Sequence, residues 1–445
     1  MLCTAVSNVL GIDDPVLTLS VVVSVFFLSV YVLAFFVWKR RKAEIPEERL
    51  PGVSIVVPAY NEEENIADTI ESLLGLDYPK DRLEIIVVDD GSTDRTYDVA
   101  KKYEGDRVKV IRKENGGKSS ALNAGIRAAK YDVIACMDAD SVATGKALKT
   151  LVSYIVEENA DAVTPVMHVW KPRNLIEKFQ WAEYILSNVM RRALDTLQAQ
   201  YVTPGPFSLF KKECFEKYGY FDEDNITEDM EMAMRIQAKG GKIVHASDAI
   251  VYTKVPRDIV SLIKQRVRWN LGFLENAWKY RREIWKNGGD MGIFVFPAIF
   301  VGLFITFLLA YKMAKDFMYH LEVITTTVSM GGIWSLIKPA SWDLSKVLTS
   351  TLFGLASFPP AYYTTVLLAA ITVAMIVYYA KKTGEPRVYW SGIYVLVSFY
   401  FFFMLVVWTI ILLVKIFGRE VRFGGTVWRN SVLNQLAGKY TAVQR

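Results

Sequence analysis

Hydrophobic and polar positions divide the chain into two kinds of pattern. Leu17–Trp38, Ile293–Tyr311, Ala361–Ala380 and Tyr389–Val414 carry no charged residue. Each is close to the ~20 apolar residues that cross a ~30 Å hydrocarbon layer. Val347–Phe358 is apolar but short, and Pro359-Pro360 ends it. Between the first two stretches the pattern changes. Apolar runs at 53–60, 83–92, 107–112 and 131–140 read as buried strands, and 63–76 and 118–130 have helical period. Strand–helix alternation predicts an α/β unit with a mixed, mainly parallel sheet, in which ligands bind beyond the carboxyl ends of the strands.

Further along, 172–194 places Leu175, Ile176, Phe179, Leu186, Val189 and Met190 at helical spacing, as on an interfacial amphipathic helix. Thr227 and Gly240-Gly241 read as N- and C-caps of a helix over 228–239, with Met230, Met232 and Met234 as packing residues. A third helix over 257–280 gathers Ile259, Ile263, Val267, Leu271, Leu274 and Trp278 into one stripe. Gln265, Arg268 and Trp269 fall on the opposite face.

Charge sharpens the division. Most acids and bases lie within 39–290, so a soluble module sits between membrane segments. The net charge of +5 over 445 residues is modest. Basic clusters such as Lys39–Lys42 and Arg281-Arg282 adjoin apolar spans, which suits anionic lipid headgroups and not nucleic acid. By the positive-inside tendency, Lys39–Lys42 puts the module in the cytoplasm of a multi-pass cell-membrane protein. Leu17–Trp38 reads as a retained anchor. Three downstream crossings would leave Lys415, Arg419, Arg422 and Arg429 outside, so 317–358 is expected to add a crossing or re-entrant piece. The resulting layout is 1–16 outside, 17–38 crossing, 39–256 catalytic, 257–290 interfacial, 291–414 membrane with three to five segments, and 415–445 a basic tail.

Cys3, Cys136 and Cys214 imply no disulfide framework, and His168, His245 and His320 no zinc enzyme. The sequon at Asn225 is expected to be fortuitous. Neither a Walker loop nor GxGxxG occurs. Instead, the strand ends carry Ala59-Tyr60-Asn61-Glu62, Asp89-Asp90-Gly91-Ser92 and Asp138-Ala139-Asp140. A purely structural reading exists for each: Ser92 or Asp94 as a cap, and Glu228-Asp229 as complements of a helix dipole. Three acidic strand ends on one sheet edge favour a ligand. Alternate residues of an extended segment share a face, so Asp138 and Asp140 can present oxygens to Mg2+ or Mn2+ bound with phosphates. Arg268 suits a diphosphate and the Trp269 face a sugar, with an interfacial anchor as the structural alternative.

These segments, "VPAYNEE", "VVDDGSTD", "NGGKSSALNAG", "MDADS", "TPGPFSLF", "TED" and "QRVRW", run in order across about half the chain. Together they resemble the processive, membrane-embedded branch of the family 2 glycosyltransferases, which includes cellulose, poly-N-acetylglucosamine and hyaluronan synthases. The resemblance implies a GT-A fold and a UDP-sugar donor. On it, Ala59, Tyr60 and Glu62 border the uridine, Asp90 the uracil edge, Lys118 the nucleotide and Asp138 the ribose and diphosphate. Asp140 holds the metal, and Asp229 of Thr227-Glu228-Asp229 is the general base. Gln265, Arg268 and Trp269 match QxxRW at the diphosphate and acceptor. TED in place of GDD tilts away from hyaluronan, and "TPGPFSLF" departs from the cellulose-type segment, which leaves a poly-N-acetylglucosamine-like or related β-linked polymer. The rival readings are single transfer to a lipid or lipid-linked acceptor, and an inactive sugar-nucleotide sensor. The latter predicts loss of Asp140, Asp229 or Arg268, and all three are present.

Overall fold

The computed structural model describes residues 15–37, 45–331, 360–418, 420–423 and 426–429. The Lys39–Lys42 cluster, Val347–Phe358 and most of the tail after Phe417 lie outside the described residues. Contacts divide the chain into two units, one of 31–296 with 375–445, the other of 1–30 with 297–374.

Helix α1 (Pro15–Val37) begins in the second unit, where Val21 packs with Leu17 and Val25. The first unit is built on an eight-stranded mixed sheet. Strands β1 (Val53–Ala59), β2 (Leu83–Asp89), β3 (Val108–Arg112) and β4 (Val133–Cys136) are parallel in the order β3-β2-β1-β4. Intervening helices α2 (Ile66–Leu74), α3 (Thr96–Lys101) and α4 (Lys118–Ala128) account for the predicted alternation. Along β1, Val53, Ile55 and Val57 meet one core that includes Ile66, Ile70 and Leu73 of α2. Val56 faces the opposite core, with Ala121, Leu122 and Ile126 of α4. Coverage on both faces is why these strands read as continuous apolar runs, without alternation.

After β4 come β5 (Ser141–Ala143), α5 (Ala147–Glu158) and β6 (Ala162–Val169). Helix α6 (Leu175–Thr196) opens with a capping box: the Glu177 amide donates to Asn174 Oδ1, and the Asn174 amide donates to the Glu177 carboxylate. Strand β7 (Ser208–Lys211) runs antiparallel to both β4 and β6. Helices α7 (Lys212–Tyr218) and α8 (Glu228–Ala238) precede β8 (Ile243–Thr253), and α9 (Ile259–Lys279) and α10 (Arg281–Asn287) follow it. Met230, Met232 and Met234 are buried as expected of packing residues. Cys136 and Cys214 are free, buried thiols.

Among the described residues three more long helices follow: α11 (Phe296–Gly331), α12 (Pro360–Lys382) and α13 (Trp390–Phe417). Among the described residues, four helical stretches are long and apolar enough to cross a membrane: Pro15–Val37, Met291–Met330, Thr364–Lys382 and Trp390–Phe417. At ~1.5 Å per residue, the 40 residues of Met291–Met330 exceed a ~30 Å hydrocarbon layer. Lys312, Lys315, Asp316 and Glu322 mark its more polar second half. The chain ends, among the described residues, in a hairpin of β9 (Glu420–Phe423) and β10 (Thr426–Arg429).

Helix α6 packs into the fold along much of its length. Trp181 is fully buried, while Phe179 meets Phe403 of α13 at 5.6 Å between ring centroids. Leu175, placed on its packing stripe by periodicity, is 52% exposed. Helix α9 corrects the stripe in the same way. Val267 and Leu271 pack with Val407 and Ile411 of α13, but Ile259 and Trp278 are exposed because they lie at the ends of α9, beyond that contact. Between β1, β2 and α4, a Cβ on Gly125 would overlap Val56 Cγ1 and lie 3.2 Å from Val88 Cγ2. Gly125→Ala is expected to cost about 1–3 kcal/mol through overpacking, read as a lowered unfolding midpoint.

Candidate active site

The carboxyl ends of β1 and β2 are tied together before any ligand is considered. The Ala59 carbonyl accepts the Asp90 amide at 2.9 Å, and the Asn61 and Glu62 amides donate to Ser92 Oγ and Thr96 Oγ1. Asn61 has φ +54°, a turn conformation that asparagine tolerates. Tyr60, beside it, is 43% exposed. Asp90 is buried and already occupied. Its carboxylate accepts Lys113 Nζ at 2.7 Å and the Gly116 and Gly117 amides at 3.1 and 2.7 Å. That cradle shapes the loop entering α4, with Gly117 at φ +87°, and sets Lys118 on the first turn.

Lys118 is the hub. Its Nζ lies 2.6 Å from Asp138 Oδ1 and 2.8 Å from Glu228 Oε1, joining the DAD and TED segments. Although burial opposes the charge, Asp138, Glu228 and Asp229 hold its ammonium well above the ordinary lysine range. The DAD turn is held from behind by Thr69, whose hydroxyl contacts the carbonyls of Ala139 and Ser141. Burial, then the charges of Asp138 and Glu62, push the Asp140 carboxyl up to about 7. Glu62 is itself raised by burial, with Asp138 adding to the effect. Among the described residues no group of three His, Cys, Asp or Glu side chains is arranged for a metal. Asp138 and Asp140 would nevertheless suit a divalent cation, because it would relieve the repulsion between their carboxylates.

Thr227 occupies the cap position of α8, but makes no side-chain cap bond to the helix, contrary to expectation. Its hydroxyl instead accepts from Asn276 Nδ2 at 3.0 Å, because α9 presses directly on this turn. Asn225, the sequon residue, donates to Asn276 Oδ1 at 2.7 Å, and Arg268 donates to the Ile226 carbonyl at 2.8 Å. A Cβ on Gly272 would sit 2.9 Å from Thr227 Cβ and overlap its hydroxyl. Arg268, Gly272 and Asn276 thus form one i, i+4, i+8 seam against 225–227. Two adjacent carboxyls are driven apart here. Burial raises Glu228, but Lys118 and Arg268 outweigh it and leave it lowered. Burial and the Glu228 charge push Asp229 up to about 6, against Lys118 and Arg268.

Arg266, buried in α9, completes the site's floor. It forks onto the Glu183 carboxylate of α6, donates to Gln265 Oε1 at 2.5 Å, and lies 4.1 Å from the Trp269 ring centroid. One face of the indole is therefore taken by a guanidinium. Asp138, Asp140, Lys118, Glu228, Asp229 and Arg268 are linked by contacts or electrostatic interactions, while Ala59, Tyr60 and Asp90 stand at the strand ends beside them. Lys113, Thr69, Gly272, Asn276, Glu183 and Arg266 are missed by sequence reasoning. Only the four-residue spacing from Arg268 could have pointed to Gly272 and Asn276.

Residues 54–219 match the family model "Glycosyl transferase family 2". The chain is 34% identical over 236 residues to poly-β-1,6-N-acetyl-D-glucosamine synthase of Staphylococcus aureus strain COL, covering 52% of this chain and 57% of that protein. It is 34% identical over 235 residues to the enzyme of the same description from Staphylococcus epidermidis, covering 51% and 55%. The matches span little more than half the length of these relatives. Among solved structures, the mannosyltransferase from Pyrobaculum calidifontis, in complex with GDP-Man and Mn2+, aligns with TM-score 0.51 at 20% identity over 84% of this chain and 99% of that one. Residues 54–219 thus match the family 2 glycosyltransferases, and the unit that contains them has a GT-A fold.

Gly272→Ala and Asn276→Ala are each expected to lower the unfolding midpoint, by overpacking and by leaving buried polar groups unpaired, at about 1–3 kcal/mol each. Because both act on the 225–227 turn, a double-mutant cycle followed by thermal unfolding should be non-additive by at least about 0.5 kcal/mol.

Proposed function

We propose that this protein is a membrane-integrated, inverting glycosyltransferase. It moves a hexose or N-acetylhexosamine from a UDP-sugar to a growing glycan and extends that glycan processively. The observation that carries the reading is the split between Glu228 and Asp229. One carboxylate is kept ionised by Lys118 and Arg268, and its neighbour is raised to about 6, where a general base works near neutral pH. In the reaction, Asp229 takes the proton of an acceptor hydroxyl as that oxygen bonds to the anomeric carbon. The bond from that carbon to the diphosphate oxygen breaks, and UDP leaves with the electron pair. A single displacement inverts the anomeric centre. Lys118 and Arg268 offset the charge that grows on the diphosphate. Asp138 and Asp140 would hold Mg2+ or Mn2+, which supplies further charge neutralisation at the diphosphate.

On this reading Ala59, Tyr60, Glu62 and Asp90 form the nucleotide side, and Gln265, Arg268 and Trp269 the diphosphate and acceptor side. The staphylococcal relatives' description as poly-β-1,6-N-acetyl-D-glucosamine synthases supports N-acetylglucosamine polymerisation. Lys39–Lys42 supports a cytoplasmic catalytic domain in a multi-pass membrane protein.

The purified protein, incubated with UDP-sugars and GDP-mannose singly, is expected to lengthen a glycan with UDP-N-acetylglucosamine, sized by mass spectrometry. Products stopping at one added sugar overturn processivity. Asp229→Asn should lower kcat by about 10²–10⁴-fold while leaving UDP affinity, measured by calorimetry, within twofold. Survival of near wild-type turnover removes Asp229 from the base role. Since a raised carboxyl is protonated below its pKa, kcat/KM should fall about tenfold per pH unit below about 6 and level off above it.

A further inference from the structure

Arg191 is an arginine in the site region that the roles above leave unused. It lies on α6, whose neighbouring Arg192 turns the other way, its guanidinium 4.2 Å from the Phe35 ring centroid. Segment 200–203 is stitched between α6 and α8. Gln200 Nε2 donates to the Arg191 carbonyl at 2.5 Å, and Gln237 Nε2 of α8 donates to the Gln200 carbonyl. Within that segment, Arg191 makes one long bond to the Val202 carbonyl at 3.4 Å. The next residue, Thr203, donates through both its amide and its hydroxyl to the Asp229 carbonyl. Two residues further, Gly205 comes so close to Asp138 that an added Cβ would stand 2.7 Å from its Cγ. Arg191 therefore stands on the base's side of the loop that joins base and diphosphate-facing carboxylates.

Its bonding is incomplete. Nε is buried without a partner, and Arg191 makes no ion pair among the described residues. Burial lowers its pKa, with Tyr201 and Asp229 opposing. Tyr201 in turn packs on Phe273 of α9, at 5.8 Å between ring centroids. A guanidinium with spare, fixed donors beside a base and an aromatic ring matches the oxygen-rich edge of a sugar. The diphosphate already has Lys118 and Arg268. The remaining ligand on the base's side is the sugar that offers the attacking hydroxyl.

We infer that Arg191 is an acceptor-binding residue, donating hydrogen bonds to hydroxyl or N-acetyl carbonyl oxygens of the acceptor's terminal sugar. The inference rests on the glycosyltransferase reading. A soluble β-1,6-linked N-acetylglucosamine pentasaccharide serves as acceptor probe for the full-length protein. Arg191→Gln should raise the pentasaccharide KM at least tenfold and leave UDP affinity within twofold. Arg191→Lys, which restores the cation without the fork, should recover only part of the loss and serves if the glutamine variant fails to fold. Arg192→Gln should leave the pentasaccharide KM unchanged. Unchanged KM in both Arg191 variants, or a UDP affinity that falls as far as acceptor KM rises, overturns the assignment. A wild-type protein that ignores the pentasaccharide while transferring one sugar elsewhere overturns the polymerase reading instead, and the acceptor role with it.

Discussion

The site depends on one half-buried cation. Lys118 contacts both Asp138 and Glu228, two carboxylates delivered by segments ninety residues apart in the chain. Without it, Asp138, Glu228 and Asp229 would face one another in a poorly solvated pocket, where like charges are expensive. The lysine owes its place to Asp90, whose carboxylate gathers Lys113 and the Gly116 and Gly117 amides and so fixes the turn before α4. An aspartate expected at the edge of a base thus also builds the loop that carries the cation.

Helix α9 is the second constraint. One face packs on α13, while Arg268, Gly272 and Asn276 lie against the 225–227 turn. The 225–227 turn and the QxxRW residues therefore share one register with α13, a helix long and apolar enough to cross a membrane. Arg266 extends the connection through Glu183, which also accepts a hydrogen bond from Tyr400 of α13. The orientation of the Trp269 indole is set by this chain of contacts. This geometry gives a physical reason for fusing the glycosyltransferase domain to apolar helices in one chain.

Much of this was legible in the residues. Apolar runs located β1 to β4 within a few positions, because strands covered on both faces carry an unbroken hydrophobic signal. Helical period located the helix after Lys118, and the "TED" segment announced the start of the helix at Glu228. The stripes on α6 and α9 were less faithful at their ends. Leu175, Ile259 and Trp278 fit the period but lie where the neighbouring element has stopped, and periodicity carries no information about a neighbour's length. Thr227 was read as a cap from its type and position, and a local rule could not foresee that Asn276 would claim its hydroxyl.

By itself the sequence determined the kind of fold, the apolar stretches and the acidic strand ends, since these follow from local period, length and charge. Which carboxylate stays ionised, which arginine holds the tryptophan and which glycine admits the 225–227 turn were decided only by the tertiary structure. Those properties arise from desolvation and contact between residues far apart in the chain, and no local pattern encodes a distance across the fold.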